Sequence, residues 1–347
     1  MRYWLARHPE DRVVVLDALT YAGNLASLMS VRAHPGFTFV HGDITTRGLA
    51  AELLRTHAVT TLVHFAAESH VDRSIDSPEQ FIVTNVLGTF RLLDCFRRYV
   101  HKTGRTKAAG YGNSIADGGN CMFLHVSTDE VFGSLSPEDP AFCETTPYAP
   151  NSPYSASKAG SDHLARAYFH TYGVPVVTTN CSNNYGPYQF PEKLLPLMIR
   201  KTLRGESLPV YGDGSNVRDW LYVGDHCSAL ALAAISGEPG ETYVIGGKCE
   251  MKNIDVVRAI IRTVAELAPD REIKSPDELI RFVTDRPGHD QRYAINPERI
   301  GREFGWSPKE TFATGLGKTV QWYLDHEEWI DSIESGRYRG ERLGTLA

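Results

Sequence analysis

The stretch CMFLHVSTDE, residues 121–130, is a short apolar run that ends in two hydroxyl residues and two acids. Similar runs at 13–17, 37–40, 61–65 and 174–179 are each followed by polar residues. Helical patterns, such as 79–99 and 154–172, lie between them. This alternation predicts an α/β fold, a doubly wound parallel sheet with helices on both faces. Ligands bind at the carboxyl ends of such strands, so the order of strand and motif itself predicts a site.

Composition excludes several classes of function. The 347 residues are 42% hydrophobic and 22% charged, which is typical of a soluble globular protein, and the net charge of −6 gives no basic surface for nucleic acid. No apolar run is long enough to cross a membrane, and MRYWLARHPEDR at 1–12 is not a signal peptide. The six cysteines contain no CxxC pair and the thirteen histidines no HExxH spacing, so we expect no metal site and a reducing, cytoplasmic location.

The pattern loosens after about residue 189. Prolines at 191, 196 and 209 and the turn YGDG at 211–214 indicate a smaller, loop-rich C-terminal α/β lobe. The polar stretch from Thr103 to Asn120 is predicted to be a surface loop.

A helix is predicted to begin within NSPYSASK, residues 151–158, because Ser152 can cap it and Pro153 suits its first position. Tyr154 and Lys158 then lie one turn apart on one face. The ammonium of Lys158 is expected to lower the pKa of the phenol from about 10, giving a base that takes a hydroxyl proton while hydride leaves the same carbon. A surface pair on an amphipathic helix is the alternative.

Two acids, Asp129 and Glu130, follow the strand at 121–126 after Ser127 and Thr128. Such a dipeptide can cap a helix. It can also divide proton removal and proton donation between two carboxyl groups whose pKa values differ. Because Tyr154 and Lys158 follow downstream, we interpret the pair as catalytic.

Three motifs carry a specific resemblance: STDEVFG at 127–133, YSASK at 154–158 and NCSNNYGP at 180–187. They resemble the extended short-chain dehydrogenase/reductases and, within these, the dTDP-glucose 4,6-dehydratases. LTYAGN at 19–24, AAESHVDRS at 66–74 and DRPGHD at 285–290 extend the resemblance over nearly the whole chain. It implies a Rossmann-type fold and an NAD-dependent lyase of deoxysugar biosynthesis, such as the dTDP-rhamnose pathway. It also implies dTDP-glucose as substrate and a homodimer formed through helices 79–99 and 154–172.

The resemblance also implies a reaction cycle. Hydride leaves C4 for NAD⁺ with Tyr154 as base, water is eliminated across C5 and C6, and hydride returns to C6. Glu130 would remove the C5 proton and later return it, Asp129 would protonate the departing C6 hydroxyl, and Thr128 would hydrogen-bond near C4. The product would be dTDP-4-keto-6-deoxyglucose.

Asp17, at the end of the first visible strand, can bind the adenosine ribose and so favours NAD over NADP, although an ordinary turn is the alternative. The implied cofactor residues are Asp17, Ala18, Leu19, Thr20, Asp43, Ile44, Phe65, Ala66, Ala67, Ser69, Thr84, Tyr154, Lys158 and Asn184. The implied substrate residues are Ser69, Thr128, Asn183, Lys193, Leu194, Pro209, Tyr211, Arg218, Asn253, Arg286 and His289. The two arginines suit a pyrophosphate because they offer charge-assisted donors.

Members of this family open with a strand and a GxxGxxG turn whose backbone amides hold the pyrophosphate. This sequence contains no such motif, and we interpret residues 1–7 as the end of the first helix. We therefore expect the NAD-binding Rossmann domain, residues 1–188 plus about 224–248, to lack its first strand. A start codon placed too far downstream, or an incomplete sequence, is the hypothesis. The sugar-nucleotide domain is expected at 189–223 and 249–347. In this form we expect poor NAD retention and little activity.

Two other functions stay open. A nucleotide-sugar 4-epimerase keeps the tyrosine and lysine but does not need Asp129 and Glu130. An inactive NAD-fold protein is favoured by the absent glycine motif, while the intact catalytic residues argue against it. The nucleotide base is also open between thymidine, uridine and others.

Overall fold

The computed structural model describes residues 1–104 and 121–334. The predicted surface loop at 103–120 therefore lies almost wholly outside the described residues. The strands are β1 (Val13–Asp17), β2 (Phe37–His41), β3 (Thr61–His64), β4 (Met122–Thr128), β5 (Val176–Cys181), β6 (Asn183–Tyr185), β7 (Leu208–Tyr211), β8 (Val217–Tyr222), β9 (Thr242–Ile245), β10 (Glu250–Lys252) and β11 (Ile280–Val283). The helices are α1 (Arg2–Arg7), α2 (Leu49–Thr56), α3 (Val71–Asp76), α4 (Pro78–Phe81), α5 (Thr89–Thr103), α6 (Pro153–Tyr172), α7 (Leu194–Leu203), α8 (Val223–Ser236), α9 (Asn253–Leu267), α10 (Pro276–Leu279), α11 (Glu298–Phe304), α12 (Phe312–Asp325) and α13 (Glu327–Glu334).

The apolar residues at the start of β4 are buried on both faces of the sheet. Phe123 and Leu124 are both fully buried, on opposite faces of the sheet. Phe123 packs with Phe96 of α5, and Leu124 packs with Ala229 of α8. The sheet has the order β3-β4-β5-β9 and is parallel throughout. Helices thus cover both faces, which confirms the doubly wound α/β fold.

The parallel strands fall into two groups. β1 pairs with β2, and β3 pairs with β4, but no strand in the described residues joins β1 to β3. Leu54 of α2, which leads from β2 to β3, packs in the same cluster as Phe96, so both groups share a core.

A second lobe is built from the short sheets β11-β7 and β10-β8-β6. Its core joins Leu195 of α7, Val257 of α9 and Val320 of α12 with Trp220 of β8. Strand β6 begins at Asn183, two residues after β5 ends at Cys181, so the sheet β10-β8-β6 starts at the carboxyl end of β5. No helix in the two described ranges is long and apolar enough to span a membrane.

Candidate functional site

The acid pair lies where β4 ends. Thr128 caps the short 3₁₀ turn Asp129–Phe132, because its Oγ1 accepts the backbone amide of Glu130 at 3.3 Å. The same hydroxyl donates to Oδ1 of Asp129 at 3.3 Å. The cap is therefore supplied by Thr128, and the two acids are left to face the site. Asp129 is 2% exposed, and no group in the described part of the chain donates to its Oδ2.

The two carboxyl groups have different surroundings. Burial places the pKa of Asp129 well above its usual range, and the neighbouring charge of Glu130 reinforces that rise. Burial also raises the pKa of Glu130, but here three cations, Arg286, Arg218 and Lys193, act in the opposite direction. Asp129 is accordingly the group that keeps a proton, and Glu130 is the group that ionises first.

Tyr154 and Lys158 are both buried on α6. A capping box begins this helix: the side chains of Ser152 and Ser155 each accept the other's backbone amide. The predicted helix start at 151–158 is confirmed. Tyr154 packs edge-on against Phe81, which holds the phenol beside the ends of α4 and β4.

The sequence predicted that Lys158 lowers the pKa of Tyr154. For the protein without a bound cofactor, that prediction is wrong. Burial raises that pKa well above the usual value, and the charge of Glu130 adds to the rise. The ammonium of Lys158 donates to the backbone carbonyl of Val126 at 2.9 Å, so it is directed at β4. A negative neighbour and desolvation therefore outweigh the effect that the YxxxK spacing predicts.

The second lobe supplies the cations that surround Glu130. Arg218 of β8 is 5% exposed, donates from Nη2 to the carbonyl of Asp290 at 2.9 Å and lies over the ring of Tyr293. Lys193, directly before α7, donates from Nζ to the carbonyl of Ser69 at 2.8 Å. The contact of Lys193 crosses the boundary between the lobes, while Arg218 is held within the second lobe.

Arg286 and Tyr211 meet at a residue for which the sequence analysis had no role. Asp72 of α3 accepts Nη1 of Arg286 at 2.9 Å on one carboxylate oxygen and the hydroxyl of Tyr211 at 2.8 Å on the other. The ring of Tyr211 also lies edge-on to His289, whose Nδ1 is 2.6 Å from Oδ1 of Asp285. The motif HVDRS at 70–74 was noted for its resemblance, but only the fold shows which groups its aspartate binds.

Most of the predicted cofactor residues lie at or directly after the ends of β1, β2 and β3. Asp17 is exposed, and its Oδ1 accepts the amide of Leu19 at 2.7 Å. Phe65, directly after β3, is 60% exposed. Leu19 has a φ of +47°, a strained value for a residue with a branched side chain. The edge thus presents an open, partly apolar surface between β1 and β3.

Asn183 and Asn184 lie on β6, where Asn183 pairs with Trp220 of β8. Oδ1 of each is buried, and no group in the described residues donates to it. The remaining predicted residues are located by the elements in which they lie. Those that follow β1, β2 or β3 are Ala18, Thr20, Asp43, Ile44, Ala66 and Ala67, and Thr84 lies in the π-helical turn Ile82–Gly88. Leu194 lies in α7, Pro209 in β7 and Asn253 in α9. The described contacts do not join Leu194 or Pro209 to the acid pair.

The chain is similar to known proteins over most of its length. The family model described as GDP-mannose 4,6 dehydratase matches residues 1–319. The dTDP-glucose 4,6-dehydratase of Xanthomonas campestris is 53% identical over 96% of this chain and 92% of its own. That of Neisseria meningitidis is 50% identical over 98% and 94%. The crystal structure of dTDP-glucose 4,6-dehydratase from Bacillus anthracis in complex with NAD is 44% identical, with a TM-score of 0.81 over 96% of this chain and 94% of that one.

The Asp72 link predicts a large stability effect. Asp72→Asn leaves the buried guanidinium of Arg286 without its counter-charge, and we expect a loss of about 3 kcal/mol in the free energy of unfolding. Asp94→Asn is the control, because Asp94 pairs with Arg97 and the exposed Arg98 on the surface of α5 and should cost less than about 1 kcal/mol. Urea unfolding measures both. Equal losses for the two variants would contradict the assignment of Asp72 as a link between the lobes.

Proposed function

The chain belongs to the family that the GDP-mannose 4,6 dehydratase model describes and, within it, to the dTDP-glucose 4,6-dehydratases, and we propose how its residues carry out that reaction. It converts dTDP-glucose to dTDP-4-keto-6-deoxyglucose and water by oxidation at C4, elimination across C5 and C6 and return of hydride to C6. It is thus an NAD-dependent hydro-lyase. The observation that carries this function is the buried pair of acids with unlike surroundings at the end of β4. A 4-epimerase has no task for such a pair.

The proton roles follow from the surroundings of each carboxyl. Because burial and Glu130 keep Asp129 protonated, Asp129 is placed to donate a proton to the departing C6 hydroxyl. Because three cations favour its ionised form, Glu130 is the group that removes the C5 proton. The Thr128 hydroxyl, already bonded to Asp129, orients the substrate near C4, where Tyr154 accepts the hydroxyl proton.

NAD is the cofactor. The edge between β1 and β3 suits NAD, because Asp17 offers an exposed carboxylate there and Phe65 an exposed apolar side chain. Asn184 of β6 adds a buried Oδ1 to which no described group donates. When bound there, NAD supplies the hydride acceptor and donor and a positive charge that lowers the pKa of Tyr154. The full set of cofactor residues named from the sequence stays a proposal.

For the substrate, we propose that Arg218 and Arg286 bind the pyrophosphate. Both guanidinium groups are largely buried next to the acid pair, and charge-assisted donors suit a diphosphate. Lys193, Tyr211 and His289 line the same region through the contacts described above. Ser69, Asn183, Leu194, Pro209 and Asn253 complete the proposed set. We propose thymidine as the base on the strength of the relatives' names.

We propose the domain division expected from the sequence, with 1–188 and about 224–248 binding NAD and the remainder binding the sugar nucleotide. The packing of α8 and β9 against the parallel sheet supports it. We propose a cytoplasmic location because the six cysteines, all within the described residues, are thiols and not disulfides.

We also propose a homodimer through α5 and α6. Ile82, Val83, Leu87 and Phe90 form an exposed apolar stripe leading into α5, and such a patch marks an interaction surface. Sedimentation equilibrium should give twice the chain mass for the wild type and the chain mass for the variant Leu87→Lys/Phe90→Lys. A wild-type protein that is monomeric at micromolar concentration would overturn the dimer.

The assay that tests the function supplies NAD and offers dTDP-glucose beside UDP-glucose. A 4-keto-6-deoxy product absorbs strongly in alkali, while epimerisation gives no such chromophore. We expect the chromophore from dTDP-glucose and much less from UDP-glucose. Activity should rise as pH passes the raised pKa of Glu130, because the base must be ionised to remove the C5 proton.

In the same assay, Glu130→Gln should lower dehydration at least about 100-fold, because the general base is lost. Hydride transfer from C4 should persist, so reduced nicotinamide should accumulate in a single turnover. Glu138→Gln is the control, because Glu138 is exposed and has no proposed role in the site. This variant should behave as wild type. Unchanged turnover in Glu130→Gln would refute the assigned base.

A further inference from the structure

A buried polar cluster lies beneath the catalytic residues, on the side of β4 that faces α6. Its centre is Asp162, which is 4% exposed. Oδ1 of Asp162 is 2.9 Å from Nε2 of His125, and Oδ2 accepts the hydroxyl of Tyr148 at 2.9 Å and Nδ2 of Asn180 at 3.0 Å. A carboxylate that deep in the protein must be well bonded or paired, and this one has donors on both oxygens.

The cluster reaches the active site by two routes. Nδ2 of Asn180 also donates to the backbone carbonyl of Thr128 at 3.0 Å, at the peptide that leads into Asp129. Lys158 precedes Asp162 by one helical turn on α6, and its ammonium donates to the carbonyl of Val126. Asp162 is therefore linked to the end of β4 through Asn180, and it lies one helical turn from Lys158 on α6.

The other member of the cluster does not neutralise Asp162. His125 is fully buried, and desolvation lowers its pKa even though the bond to Asp162 acts in the opposite direction. At neutral pH the imidazole is therefore uncharged, and Nε2 must carry the hydrogen because an ionised carboxylate only accepts. Lys158 is left as the cation that faces Asp162.

Lys158 in turn depends on that carboxylate. Desolvation lowers the pKa of its ammonium, and the charge of Asp162 is the main effect that opposes the fall, followed by Cys181 of β5. From β3 and β4, His64 and His125 also face Lys158, and both rings have pKa values lowered by burial. Without Asp162, the ammonium would be a buried charge with no anionic partner of comparable strength.

We propose that Asp162 is a positioning residue for the reaction: it keeps Lys158 in its cationic form and, through Asn180, holds the Thr128 carbonyl that leads into the acid pair. It touches neither substrate nor cofactor. This inference rests on the proposed role of Lys158 beside Tyr154, and it adds the group on which that role depends.

Asp162→Asn removes the charge with little change in shape. A neutral neighbour lets Lys158 lose its proton at lower pH, so the alkaline limb of the kcat profile should move down by about 1 to 3 pH units. KM for dTDP-glucose should change less than about twofold, since Asp162 contacts none of the proposed substrate residues. Tyr148→Phe is the matched control: it removes a hydrogen bond to the same oxygen but leaves the charge, so the limb should stay in place.

A second readout needs no turnover. Without the charge of Asp162, the folded-state pKa of Lys158 falls further below its unfolded value. Between these two pKa values the folded variant binds fewer protons than the unfolded chain, and this range begins at a lower pH than in the wild type. Its stability should therefore recover as pH rises, and its deficit in urea midpoint relative to wild type should shrink between pH 7 and 9.5. The deficit of Tyr148→Phe should stay constant over that range.

The outcomes separate this inference from the proposed function. If Asp162→Asn lowers kcat equally at every pH and has a constant deficit in midpoint, Asp162 is only a structural residue and the inference fails, while wild-type dehydration still stands. If wild-type protein makes no keto sugar but the deficit shrinks with pH, the pairing with Lys158 holds and the proposed function fails. Should Asp162→Asn not fold, Asn180→Ala tests the other route: we expect lower kcat with an unmoved alkaline limb, and unchanged kcat would overturn the role of Asn180 and with it the link to Thr128.

Discussion

Burial of β4 on both faces is the constraint on which the site depends. Phe123 and Leu124 pack against helices on opposite faces of the sheet. The strand ends at the carboxyl side of the sheet, where Thr128 caps the following turn. That turn carries the two acids into a region already closed by the second lobe. The same desolvation that stabilises the strand therefore raises the pKa of both Asp129 and Glu130.

Charge then distinguishes groups that burial treats alike. Cations from the second lobe act on Glu130, and an acid neighbour acts on Asp129. The lobes are joined by bonds that also place these charges, as when Asp72 holds Arg286 and Tyr211. Beneath β4, Asp162 has a comparable relation to Lys158. In both cases a buried carboxylate sets the charge or the position of a group that faces the substrate.

The sequence predicted the features that are local. Apolar runs followed by polar motifs predicted the parallel sheet, and the residues around Pro153 predicted the start of α6. The raised pKa of Tyr154 could not be predicted, because it comes from burial and from Glu130 on another element. Asp72 was also beyond sequence reasoning, since its partners lie 139 and 214 residues away.

One site of the protein oxidises C4, eliminates water and returns the same hydride to C6. This is tested with dTDP-glucose that carries deuterium at C4, incubated with the protein and NAD in ordinary water. We expect a 4-keto-6-deoxy product with the deuterium on the C6 methyl group and ordinary hydrogen at C5. A sugar inverted at C4 that still carries its deuterium there, or a keto product with no deuterium at C6, would contradict it.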